Sequence, residues 1–378
     1  MQFRDLNTQY QRIKPEIDAA ITQVIEGGQF ILGGAVAELE QKLADYTGAK
    51  HCVSCANGTD ALQLVLMAWG IGPGDAVLVP DFTFFASAGA ASAVGAHPVF
   101  TDIDLATYNM DPASLDHAIQ KLLREGAYTP KVIIPVDLFG LPADHLKIKE
   151  IADTYGLKVL EDGAQGFGGR INGQKACSFG DAAITSFFPA KPLGCYGDGG
   201  AIFTDDEALA ETLRSLRAQG RSAEDKYDNQ RIGMNSRLDT LQAGILLPKL
   251  KAFADYELDA VNQAAARYSE RLTEAVVKPL VPEGYLSSWA QYTLRLSDRV
   301  QRDNLQAHLK AQGIPSMVYY PRGLHQQSAY QAMQLADADF PHTAEAAQTV
   351  LSLPMHPYLT EEDIEKTAEA VNAYIRKG

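Results

Sequence analysis

The chain has 378 residues, 46% of them hydrophobic and 21% charged, which excludes a mainly disordered protein and allows one large or two ordinary domains. Asp and Glu outnumber Lys and Arg by 47 to 33, and the net charge of -14 opposes binding to nucleic acid or anionic lipid. The opening MQFRDLNTQYQRIKPEID is charged where a secretory leader needs an apolar run, and the most lipid-like stretch, 86–96, is about half the ~20 residues of a membrane span, so a cytoplasmic protein is expected.

Between about residues 45 and 205, apolar or β-branched runs alternate with helical patterns, the sign of βα units on a largely parallel sheet. The predicted strands are His51–Ala56, Ala76–Val79, His97–Thr101, Val132–Pro135, Lys158–Glu161, Ala183–Phe187 and Ala201–Thr204. Helices fall at Thr59–Trp69, Ala86–Ala93, Pro112–Glu125 and His145–Tyr155. From Leu238 to Leu272 the pattern is helical, with a kink or break expected at Pro248. A strand (Gln291–Leu296), a helix (Arg302–Gln312), a second strand (Ser316–Tyr320) and a closing helix (Glu361–Lys377) complete a smaller α+β unit. The expected division is 1–250 for a large domain with an N-terminal arm and 251–378 for a small one. Cys52 and Cys55, three apart on a strand, point to opposite faces, and no second cysteine pair completes a zinc site; no metal is expected.

Ligands of open α/β sheets sit beyond the carboxyl ends of the strands, so motifs there carry weight. ANGTDALQLVL is a strand end, a turn and a helix start, where the amides of Gly58, Thr59 and Asp60 are placed to hold phosphate, or where Asn57 or Thr59 is simply the N-cap. In LKVLEDGAQGFGG, Asp162 stands where an apolar strand gives way to a turn, either as a cap or as a carboxylate with a cationic partner. AITSFF then runs into PAKPLGCYGDGG, placing Ser186 and Lys191 at another strand end. A desolvated lysine there is a candidate Schiff-base amine, and the glycines let the backbone fold closely round it. Because GDGG precedes a strand instead of opening a helix, it is not a dinucleotide fingerprint. A phosphate cradle, a carboxylate for a pyridinium nitrogen and an amine for an aldehyde together fit pyridoxal 5'-phosphate.

With these motifs in hand, the chain resembles the DegT/StrS-type nucleotide-sugar aminotransferases, pyridoxal-phosphate enzymes of the aspartate aminotransferase fold (fold type I). The likeness runs from FRDLNTQY through GGQFILGGAVAELEQKLADYTGAKHCVSCANGTDAL, VIIPVDLFG, EDGAQGFGG, SFFPAKPLGCYGDGGAIFTDD and GMNSRLDTLQAGIL to IPSMVYYPRGLHQQSAY. It implies a PLP transferase fold type I, α/β, with a seven-stranded mostly parallel sheet and a smaller α+β C-terminal domain. By the same resemblance Lys191 carries the cofactor and moves the proton, Asp162 pairs with the ring nitrogen, Gln165 meets the phenolic oxygen and Phe84 stacks on the ring. Phosphate falls to Thr59, Asp60 and Ser186, with Asn235 reaching in from the second subunit of a homodimer.

Arg237, two beyond Asn235, would meet a carboxylate or diphosphate of the substrate, or else form a surface salt bridge with Asp239. Tyr319 and Tyr320 stand where the family reaches the sugar, one of them expected to belong to the core, and His325 is a further lining candidate or a structural histidine. Relatives that became dehydratases replace the lysine with histidine, whereas Lys191 is intact; Gly163 and Cys195 depart from the usual small residues without removing a functional group. The resemblance implies L-glutamate as amino donor and a nucleotide-linked keto-sugar as acceptor. NGTDALQ resembles the branch acting on 3-keto sugars, with UDP-2-acetamido-2-deoxy-3-keto-hexuronate for surface polysaccharide (lipopolysaccharide, O-antigen) foremost. dTDP-3-keto-6-deoxyhexose amination, a keto-deoxysugar dehydratase and a catalytically silent regulator are the alternatives.

Overall fold

The computed structural model describes residues 1–225 and 227–376. Seven strands form one sheet in the spatial order His51–Cys55, Gly200–Thr204, Ala182–Ser186, Lys158–Asp162, Thr129–Ile133, Asp75–Pro80 and His97–Thr101. Pairing is parallel from His97–Thr101 to Ala182–Ser186, while Gly200–Thr204 runs antiparallel to both its neighbours. Side chains alternate between two cores: Cys52, Ala183 and Phe203 join one, Val53, Cys55, Ile184 and Ile202 the other. Cys52 and Cys55 therefore point to opposite faces, as their spacing requires.

Every expected large-sheet strand is present, although Val132–Pro135 is displaced to Thr129–Ile133. Pro135 has no amide to continue a ladder; pairing with Asp75–Pro80 ends after Ile134 donates to Leu78, 2.8 Å, and on the other side a bridge between Val136 and Asp162 follows. The helix after the first strand is Gly58–Ala68, with Asn57 as its N-cap.

Three N-terminal helices, Leu6–Arg12, Lys14–Gly27 and Gly34–Thr47, escaped the sequence reading. The latter two grip Thr240–Ala252, and that packing explains why the chain stays helical through Pro248. The irregularity comes instead as a π-turn at Phe253–Glu257, before the helix resumes at Leu258–Arg271.

The smaller unit pairs Tyr292–Arg295 with Val350–Leu353, flanked by the helices Arg299–Ala311 and Glu361–Ile375; Lys377, the expected end of the last helix, lies outside the described residues. Ser316–Tyr320 is not a strand. Met317 makes a single bridge to Ser352, and Pro315 and Pro321, which lack amides, bound the segment. Among the described residues, no helix is long and apolar enough to cross a membrane.

Candidate active site

Topology gathers the motifs at one end of the sheet. Gly200 is registered against Cys55 on one side and Ser186 on the other, so the helix start after Asn57 lies beside Ser186. The approach is close enough that a Cβ on Gly58 would stand 2.9 Å from the Ser186 Cβ, which explains glycine at that position. Asn57 caps the helix by accepting from the Asp60 amide at 2.8 Å, so Asp60 offers no free amide there. Gly58 and Thr59 remain at the positive end of the helix dipole, next to the Ser186 hydroxyl.

One strand further on, Asp162 closes Lys158–Asp162, its side chain buried. Its carboxylate accepts from the Ser87 hydroxyl at 2.8 Å and the Ala164 amide at 3.2 Å. Burial pushes the Asp162 carboxyl up, while Ser87, Ala164 and the charge of Lys191 pull it back. The Lys191 ammonium is pushed down by burial and partly restored by Asp162, which favours the neutral, nucleophilic amine. The loop bearing it is tight: Lys191 N donates to Phe188 O at 2.9 Å, and a Cβ on Gly194 would sit 2.5 Å from Pro189 O. Arg4 clamps the loop from outside, donating to the carbonyls of Lys191 at 2.7 Å and Pro192 at 3.3 Å. Neither Ser87 nor Arg4 was among the expected site residues.

Gln165 is also buried; its Oε1 accepts from the Phe139 amide at 2.8 Å and its Nε2 donates to the Tyr320 hydroxyl at 3.1 Å, leaving one amide hydrogen for a ligand. Tyr320 packs edge-on to Phe82, and Tyr319 edge-on to Phe3. Phe84 is 55% exposed, with its ring 6.4 Å from that of Tyr320, so an aromatic face is open to a planar partner. His325 is different. Its Nδ1 meets Asp81 at 2.6 Å and its Nε2 meets Asp337 at 2.9 Å, so both nitrogens are committed within the chain and neither is free for a substrate.

Asn235 and Arg237 flank a buried anchor. Ser236 donates its amide to Arg217 O at 2.9 Å and accepts from the Ala56 amide at 3.1 Å. The extended alternation turns Asn235 and Arg237 to the other side, where Asn235 is exposed. Among the described residues, the Arg237 guanidinium has no ion pair, and the pairing with Asp239 does not form.

The donor set fits pyridoxal phosphate: a glycine cradle with a helix start and a hydroxyl, a buried carboxylate, and a desolvated amine under its influence. A sheet of this order with these groups at its carboxyl ends defines a pyridoxal-phosphate enzyme. The comparisons with known proteins make the class specific. The chain belongs to the DegT/DnrJ/EryC1/StrS aminotransferase family, whose model matches residues 11–372. It is 48% identical, over 369 residues, to the UDP-2-acetamido-2-deoxy-3-oxo-D-glucuronate aminotransferase of Pseudomonas aeruginosa, covering 96% of this chain and 97% of that one. Among solved structures, a family aminotransferase from Brucella abortus superposes with a TM-score of 0.96 at 49% identity, covering 99% of each chain. DesV of S. venezuelae, solved in complex with a ketimine intermediate, superposes with a TM-score of 0.93 at 36% identity, covering 99% of this chain and 98% of that one. The protein is an aminotransferase, and its cofactor is pyridoxal phosphate.

Proposed function

We propose that this enzyme transfers the amino group of L-glutamate to the 3-keto carbon of a UDP-linked 2-acetamido-2-deoxy-hexuronate, for surface polysaccharide such as lipopolysaccharide O-antigen, in the cytoplasm. The observation that carries the reading is the near full-length likeness to the Pseudomonas aeruginosa enzyme, joined to an intact Lys191 facing Asp162. Bound pyridoxal phosphate supplies an aldehyde to take up the amine and a ring that draws electrons from the reacting carbon. Lys191, whose ammonium burial makes easier to deprotonate, would supply the amine for that aldehyde and serve as the base that moves protons between carbon atoms. Asp162 would keep a proton on the ring nitrogen, Gln165 would donate to the phenolic oxygen, and Phe84 would cover one ring face. Gly58, Thr59 and Ser186 would hold the phosphate. Arg237 and the tyrosines at 319 and 320 line the way in for the sugar nucleotide.

The working unit in this reading is a homodimer divided at about residue 250 within each subunit, with Asn235 of each subunit completing its partner's phosphate site. An apolar strip supports it: Phe30, Ile31 and Leu32 are exposed, and Ile31 bridges Asp239 beside Arg237. The test is a reaction with L-glutamate and a panel of UDP- and dTDP-linked keto-sugars, following 2-oxoglutarate and amino-sugar together. Equal amounts of both, with the UDP-hexuronate preferred, are expected. Preference for a dTDP-deoxysugar moves the acceptor; loss of sugar hydroxyl without 2-oxoglutarate refutes amino transfer.

A further inference from the structure

Behind the cofactor site lies a buried group that the transfer reaction does not use. A carboxylate oxygen of Asp137, one of Glu161 and a ring nitrogen of His145 all lie within 4.8 Å of one another. Asp137 Oδ1 meets His145 Nε2 at 2.7 Å and accepts from the Ala143 amide at 2.9 Å. Glu161 spends its oxygens on the amides of Cys177 and Phe179, and His145 stacks on Phe179 with ring centroids 4.6 Å apart. Among the described residues, Asp137 Oδ2 has no hydrogen-bond partner. Two carboxylates this close, with water excluded, cannot both stay charged without a large penalty, and the orphan oxygen is an acceptor for one proton.

We propose that Asp137 and Glu161 share a single proton, and that this neutral-acid link is a positioning device for the two cofactor-facing residues next to it, Asp162 and Gln165. The connections are short. Glu161 precedes Asp162 in the strand; Asp137 N donates to Asp162 O at 3.1 Å; and a Cβ on Gly166 would lie 2.4 Å from Asp137 Oδ2, so the Asp137 side chain presses directly on the turn that carries Gln165. Burial, followed by the Asp137 charge, pushes the Glu161 carboxyl well above its ordinary range, against the pull of the two amides. The titratable groups facing the pair are His145 from its helix, Cys177 from the following loop, Asp162 on the same strand and Tyr285 from the neighbouring hairpin. All but His145 are acids whose ionisation adds negative charge, so they reinforce retention of the proton.

The inference rests on the cofactor-site reading for its consequence, but its central claim is testable without cofactor. Infrared difference spectra of the cofactor-free full chain at neutral pH are expected to show a protonated carboxyl band that disappears in Glu161→Gln and survives in Asp162→Asn. Glu161→Gln, which can still donate to Asp137 but gives up one of its two amide partners, is expected to weaken pyridoxal phosphate binding severalfold less than Glu161→Ala, which loses both amides and the link. The idea is overturned by absence of the band, by its persistence in Glu161→Gln, or by glutamine proving as damaging as alanine. A stoichiometric divalent cation in the purified protein, lost in His145→Ala, would replace the proton with a metal and likewise overturn it.

Discussion

Gly58→Ala probes the phosphate cradle at its tightest point. The new Cβ would lie 2.9 Å from Ser186 Cβ and 3.4 Å from Ser186 Oγ, against about 3.5–4.0 Å for comfortable carbon contact. Ser186 cannot retreat, because it closes a wholly buried strand and is registered on Gly200. The helix start must therefore move by a few tenths of an ångström or more, and overpacking of this kind costs about 1–3 kcal/mol. Felt at the phosphate, that penalty corresponds to roughly five- to 140-fold weaker binding, at about 1.4 kcal/mol per tenfold. The assay is a titration of cofactor-free protein with pyridoxal phosphate, read by absorbance, beside a thermal melt. Gly27→Ala is the control, since a Cβ there meets nothing within 4 Å. Unchanged affinity and melting in Gly58→Ala would show that the helix start and Ser186 do not form one cradle.

Lys191→Ala should fold and bind cofactor, yet fail to convert it to the pyridoxamine form on addition of L-glutamate. Because burial lowers the Lys191 pKa, the unfolded state binds more protons below 10.5, so the penalty is present at neutral pH and relieved as pH rises toward that value; Lys191→Met should raise the melting temperature of the cofactor-free protein at pH 7. Mixing Lys191→Ala and Asn235→Ala subunits should restore activity that neither homodimer has, as one site of each mixed dimer is then intact; no recovery would place Asn235 in its own subunit's site. His325→Ala should leave KM for the sugar nucleotide unchanged while destabilising the fold by about 3–5 kcal/mol, because the buried Asp81 loses its partner. Burial pulls the His325 pKa down, but the hydrogen bonds and charges of Asp81 and Asp337 together raise it, so that contribution is full below about pH 6.5 and fades as pH climbs through the raised value, which a pH series of denaturant melts would show.

The sheet was legible because its strands are continuous apolar runs bounded by Gly, Pro and polar turns, and the candidate site because strand ends and glycines punctuate the motifs. What was missed depends on distance along the chain. Nothing in the Ala-rich stretch 86–93 tells that Ser87 reaches Asp162, 75 residues on. Leu6–Arg12 escaped because it buries only Gln9 and shows no apolar stripe. The choice between Asn57 and Thr59 as cap needed backbone geometry, and the fate of His325 needed Asp81, 244 residues away. At Pro248 local chemistry allows a break, whereas two packed helices keep the segment helical.

The Arg4 clamp bears on how the protein is made. Its guanidinium meets the carbonyl of Lys191, 187 residues later, and that of Met355, 351 residues later. Synthesis at about 5–20 residues per second therefore separates the two ends of the clamp by roughly 20 to 70 seconds. The sheet gains its last strand at Thr204, so for the 151 residues from there to Met355, roughly 8 to 30 of those seconds, Arg4 can hold the lysine loop but lacks its third carbonyl. A ribosome that stalls between Thr204 and Met355 therefore leaves a chain with the chemistry encoded and the clamp one carbonyl short.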